Sequence, residues 1–86
     1  MSKGTVENEV VAILSKATTP EAAKAIVGTY RGIEEDIRST TKSKVMYYQR
    51  RVGARTILAS LGVDEIQLRK LHVEWYGKEE TKDGSK

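Results

Sequence analysis

Lys44, Arg51 and Arg55, with Tyr48 among them, are the side chains whose types and spacing suit chemistry here, and the chemistry is binding. On a helix advancing about 100° per residue the three cations fall within roughly 40° of one another, and the phenol lies beside them. Long cations along one edge suit a phosphate backbone. The charges meet phosphate oxygens, and the ring stacks on an exposed base or hydrogen-bonds to an oxygen. Arg38 and Lys42, just before the helix, extend the set, while Arg50 points elsewhere on the wheel. The structural alternative is a solvated helix face coated with good helix formers, with Tyr47 and Tyr48 as core rings whose hydroxyls reach the solvent edge.

Other chemistry is poorly supplied. There is no Cys, so thiol, disulfide and cysteine-ligated metal chemistry are absent. The one histidine, His72, lies between Leu71 and Val73 and near Trp75, the setting of a satisfied histidine at the edge of a core rather than of a general base. Glu34, Glu35 and Asp36 are contiguous, so on a helix they diverge and read as solvated surface rather than as a cation site. Gly28, Gly32, Gly53 and Gly62 are scattered without the Lys-Ser/Thr that completes a nucleotide cradle. Ser39, Thr40 and Thr41 offer hydroxyls with no neighbouring base to activate one. The expectation is a chain without catalysis, cofactor or metal.

Charge is distributed unevenly. The segment RSTTKSKVMYYQRRVGARTILASLGV, residues 38–63, holds six cations and no acid, although the chain of 86 residues has twelve acids and a net charge of +3. Residues 1–37 hold four bases and six acids, and residues 64–86 hold five and six. An unneutralised positive segment attracts polyanions, duplex DNA before RNA, unless the fold sets the acidic ends against it. Eighty-six residues suit one small domain, and so modest a core makes a homo-oligomer, a dimer above all, the expectation. MSKGTVENE opens with no apolar run, and no stretch of 18 apolar residues occurs. A cytoplasmic protein without membrane attachment is expected.

Four helices position these groups, over about residues 6–17, 20–37, 42–61 and 64–76, in one all-α domain (1–77) with a flexible polar tail at 78–86. Val6, Val10, Ile13, Leu14 and Ala17 make a stripe that Thr5 precedes as a cap. Thr18-Thr19-Pro20-Glu21 starts the second helix with a hydroxyl cap, a proline that wastes no amide, and an acid at the positive end of the dipole. Its inward residues are Ala22, Ala23, Ile26, Val27, Tyr30, Ile33 and Ile37, with Lys24, Arg31, Glu34 and Glu35 mostly outward. Gly28 and Gly32 mark either a close helix crossing or an early end. Gly62 closes the third helix, and Asp64 with Gln67 forms a capping box for the fourth. Ile66, Leu68, Leu71 and Trp75 give that helix its apolar side.

Leu61, Gly62, Val63, Leu68 and Leu71 stand where a helical corner needs a turn glycine, a plug on each side and inward positions on a second helix. Over about 20 residues this resembles the helix-turn-helix of bacterial repressors, except that Leu58 occupies a position usually held by a small residue. The resemblance implies a fourth helix seated in the major groove and presenting Glu65, Gln67, Arg69 and Lys70; a plain helix–glycine–helix corner has nearly the same text. Two functions therefore stand side by side. One is duplex binding by Arg38, Lys42, Lys44, Tyr48, Arg51, Arg55, Gln67, Arg69 and Lys70, lost when Lys44, Arg51 and Arg55 become Gln while helicity is retained. The other is an interaction or regulatory module that binds an acidic protein surface, anchored by Tyr47, Tyr48, Leu58 and Trp75. Gly53, near the middle of the third helix, offers close approach to another helix.

Overall fold

A computed structural model of the chain describes residues 4–40 and 43–77. It is an all-α bundle of four helices: α1 (Thr5–Ala17), α2 (Pro20–Ser39), α3 (Val45–Ser60) and α4 (Glu65–Tyr76). The expected tail and Lys42 lie outside the described residues. Helix α1 packs on α2 and α4, and α2 packs also on α3. Val10 and Leu14 of α1, Ala23, Val27 and Tyr30 of α2, Leu58 of α3, Val63 of the corner, and Leu68 and Leu71 of α4 form one buried cluster. No helix among the described residues is long and apolar enough to cross a membrane.

Local signals set most boundaries. The Thr19 hydroxyl accepts from the Ala22 amide at 3.1 Å, and Pro20 takes the first helical position. Helix α2 then runs through Gly28 and Gly32 to Ser39. A Cβ at either glycine would meet nothing within 4 Å, so neither ends the helix nor allows a crossing inside this chain. Each still costs about 1 kcal/mol of helix stability relative to Ala. At the far end of α3 the Val63 amide donates to the Leu58 carbonyl at 3.0 Å and the Gly62 amide to the Ala59 carbonyl at 3.1 Å. This Schellman pair requires left-handed backbone at Gly62, whose φ is +106°. Asp64 and Gln67 cap α4 reciprocally, the Gln67 amide donating to Oδ1 at 3.0 Å and the Asp64 amide to Oε1 at 3.3 Å.

Two boundaries differ from the expectation. Helix α3 begins at Val45 rather than residue 42, with Lys44 in the cap position and no side-chain cap bond there. Helix α1 takes its cap from far along the chain rather than from Thr5, which is already in the first turn. The amides of Val6 and Glu7 donate to the two carboxylate oxygens of Glu74 at 2.8 and 3.0 Å, so one acid of α4 satisfies two orphan donors of α1. Trp75 beside it donates its indole N–H to Glu7 at 2.9 Å, and the Arg31 guanidinium lies 5.2 Å from the Trp75 ring centre.

Candidate functional site

The polar centre of the molecule is interior. Glu34 is 0 % exposed and sits on the buried side of α2, four residues after Tyr30 and three before Ile37. Arg51 of α3, 5 % exposed, grips it with a fork: Nε donates to Oε2 at 2.8 Å and a terminal nitrogen donates to Oε1 at 2.7 Å. Arg38, one turn along α2, donates to the same Oε1 at 2.9 Å, and its guanidinium lies 3.7 Å from the Tyr76 ring centre. Planar, two-toothed pairing of this kind is the strong form of ion pair. The expectation that Glu34 is solvated surface is therefore corrected, and Arg51 and Arg38 are spent on it.

His72 of α4 closes the cluster. Its Nε2 is 2.8 Å from the Tyr30 hydroxyl and 3.4 Å from Glu34 Oε2, and its Nδ1 is 3.5 Å from an Arg38 nitrogen. A guanidinium only donates, so Nδ1 is assigned as acceptor and Nε2 as the protonated nitrogen. Arg55 Nε donates to the Tyr30 oxygen at 3.3 Å from the other side. Burial pushes the Tyr30 phenol up to about 12, helped by the negative charge of Glu34 and opposed by Arg55. Burial alone would raise the Glu34 carboxyl as well. Hydrogen bonds from His72 and Arg51, with the Arg51 charge, instead hold it far below the usual carboxylate range.

Phenol, imidazole and carboxylate thus meet in a hydrogen-bonded group, an arrangement that in an open cleft would support proton transfer. Here Tyr30 is 1 % exposed and both His72 and Glu34 are 0 % exposed, so no substrate reaches them. The cluster joins α2, α3 and α4 through one buried carboxylate. Among the described residues no three His, Asp or Glu converge in a metal-holding group.

The sequence-predicted residues separate accordingly. Arg51, Arg55 and Tyr48 do share one side of α3, but that side turns toward α2: Arg51 is buried, Arg55 is half-buried on Tyr30, and the half-buried Tyr48 ring lies 5.2 Å from the Arg51 guanidinium. A Gln at Arg51 would take the two-toothed pairing from buried Glu34, so the triple replacement that the stripe suggested would disturb folding along with binding. Lys44 is half-buried at the start of α3. Gln67 is engaged in the α4 cap, whereas Arg69 and Lys70 are exposed. Of the expected anchors, Leu58 is 1 % exposed and belongs to the core, and Trp75 is half-buried against it. Tyr47 is half-buried, with the Arg50 guanidinium 5.4 Å from its ring centre.

Helix α3 also shows large apolar side chains to solvent. Val45 and Val52 are each 63 % exposed, Met46 57 % and Ile57 52 %. Lys44, Val45, Tyr48, Gln49 and Val52 line an open recess of about 340 Å³ on one side of the helix. Comparison with protein-family models, curated proteins and solved structures finds no match to this chain.

Proposed function

We propose that this chain is a cytoplasmic, non-catalytic helical module that binds an acidic, apolar-ridged surface of another protein through the Lys44–Val52 side of α3. The observation that carries the reading is the composition of that side. Two valines one helical heptad apart stand 63 % exposed around the recess, with the Tyr48 ring at its edge. Contiguous exposed apolar surface marks protein interaction sites, and rigid aromatics anchor them. No acid lies anywhere in α3, and Lys44 supplies the charge that a carboxylate-bordered partner would meet. Pairing of buried Arg51 and half-buried Arg38 with Glu34 engages two of the six cations on which a phosphate-binding ridge was expected.

One observation favours a second reading, duplex DNA bound through α4: Arg69 and Lys70 are both exposed there. The two readings part in one experiment. Mobility shifts on random duplex and single-stranded DNA at about 50 and about 200 mM salt are run beside partner capture from the source cell. A protein partner lost with Val52→Glu and with Lys44→Glu, but kept with Arg69→Gln/Lys70→Gln, supports the module. Duplex binding that falls steeply with salt and vanishes in Arg69→Gln/Lys70→Gln overturns it.

A further inference from the structure

The outer surface where α2 and α3 lie side by side is complementary to itself. The pairs Glu34–Arg51 and Tyr30–Arg55 show that the two helices run antiparallel with facing residue numbers that add to 85. On the solvent side, Ala25, Ile26, Thr29, Ala54 and Ile57 line an apolar groove of about 180 Å³. The α3 bank of this groove projects: Ile57 and Met46 are more than half exposed, and Arg50 is the one exposed cation between them. The α2 bank is hollow. Ala25, Gly28 and Gly32 are exposed, a Cβ at either glycine would meet nothing within 4 Å, and exposed Asp36 follows at its end. Among the described residues, neither Arg50 nor Asp36 stands in an ion pair.

We propose that a second copy of this chain docks on this groove, with the two-fold axis running along it, so that α3 of each copy lies on α2 of the other. That axis preserves the facing register. It sets Ile57 over Gly28 of the second copy, Gly53 over Gly32, and Arg50 beside Asp36. A projecting side chain meets a glycine, two glycines meet where the backbones come closest, and a cation meets an acid, each twice by symmetry. The footprint, about 24 Å of helix by two helix diameters, is roughly 400 Å² per copy, half the area of a standard interface. The dimer is therefore concentration-dependent rather than obligate. Val45 and Val52 lie on another side of α3, so the groove and the Lys44–Val52 recess are independent of each other.

Sedimentation of the full chain from about 5 to about 500 µM tests the proposal, this range bracketing a dissociation constant of roughly 50 µM. The mass should rise from 9.6 kDa toward twice that value. Ile57→Glu should weaken association at least tenfold without loss of helical circular dichroism. Asp36→Arg and Arg50→Glu should each weaken it, and the two together should restore it. Gly28→Ala separates this contact from a role in folding: it should raise the monomer's denaturation midpoint and yet weaken the dimer. A single-chain mass throughout the range overturns the proposal, as does a dimer indifferent to Ile57→Glu and to the charge exchange. A chain that dimerises through this groove but captures no partner through Val52 overturns the module reading alone.

Discussion

Replacing Glu34 by Gln removes one charge from the centre of the molecule, and the structure fixes what is left behind. Arg51, 5 % exposed, loses the carboxylate that holds both teeth of its fork, and α3 cannot release it to water without separating from α2. Breaking a buried ion pair from one side typically costs about 3–5 kcal/mol. A domain of this size has roughly 4–13 kcal/mol in total, so Glu34→Gln removes about a quarter of the stability or more. With a urea dependence of about 1 kcal/mol per molar, the midpoint falls by roughly 3 M or the chain is unfolded from the outset. Arg51→Leu should cost less, because Arg38 and His72 still serve the carboxylate. The double change Glu34→Leu/Arg51→Leu should recover most of the loss, since apolar replacement of both partners is often neutral, and Arg38, 19 % exposed, can extend toward water. Urea melts followed by circular dichroism give the full cycle. A Glu34→Gln midpoint within about 1 M of wild type would refute the buried clamp and return Arg51 to the surface as a possible ligand contact.

The same carboxylate sets the acid limb. Glu34 stays ionised in the folded chain far below the usual 4.5, so its contribution is complete above that pH and declines as pH falls below it. The Glu34→Leu/Arg51→Leu chain should show a flatter acid limb in pH-dependent melts. Tyr30 acts with the opposite sign, because its phenol is held neutral up to about 12 against an ordinary 10.0. Its contribution, up to about 3 kcal/mol by the two-unit shift, is complete below pH 10 and lost between about 10 and 12. Tyr30→Phe should remove that alkaline loss, together with part of the late tyrosinate absorbance rise. Glu74→Gln weakens the α1 cap and should cost about 1–2 kcal/mol, with amide exchange rising first at Val6 and Glu7.

Three local signals in the text of the chain carried the structure. Thr19 before Pro20, Gly62 after the third helix, and Asp64 three residues before Gln67 each act within one turn, and each sets a helix end as expected. Long-range partners left no such mark. Nothing around Thr5 reveals that an acid near position 74 caps the first helix, because that bond spans nearly the whole described chain. The buried cluster is an intermediate case. Glu34 is four residues past Tyr30, Arg51 is seven before Leu58, and His72 is four past Leu68, so all three share sides with core residues. Charge type argued for solvent and spacing argued for the interior; spacing prevailed because the three could satisfy one another. The basic stripe was right in angle and opposite in direction, since a helical wheel relates side chains to each other without saying which side meets the bundle.

The long reach from Glu74 to Val6 also orders events in time. During synthesis α1 emerges before α4, yet the acid that finishes its first turn belongs to α4. The first turn of α1 stays frayed until α4 has been made, and the bundle locks only when α4 docks on it.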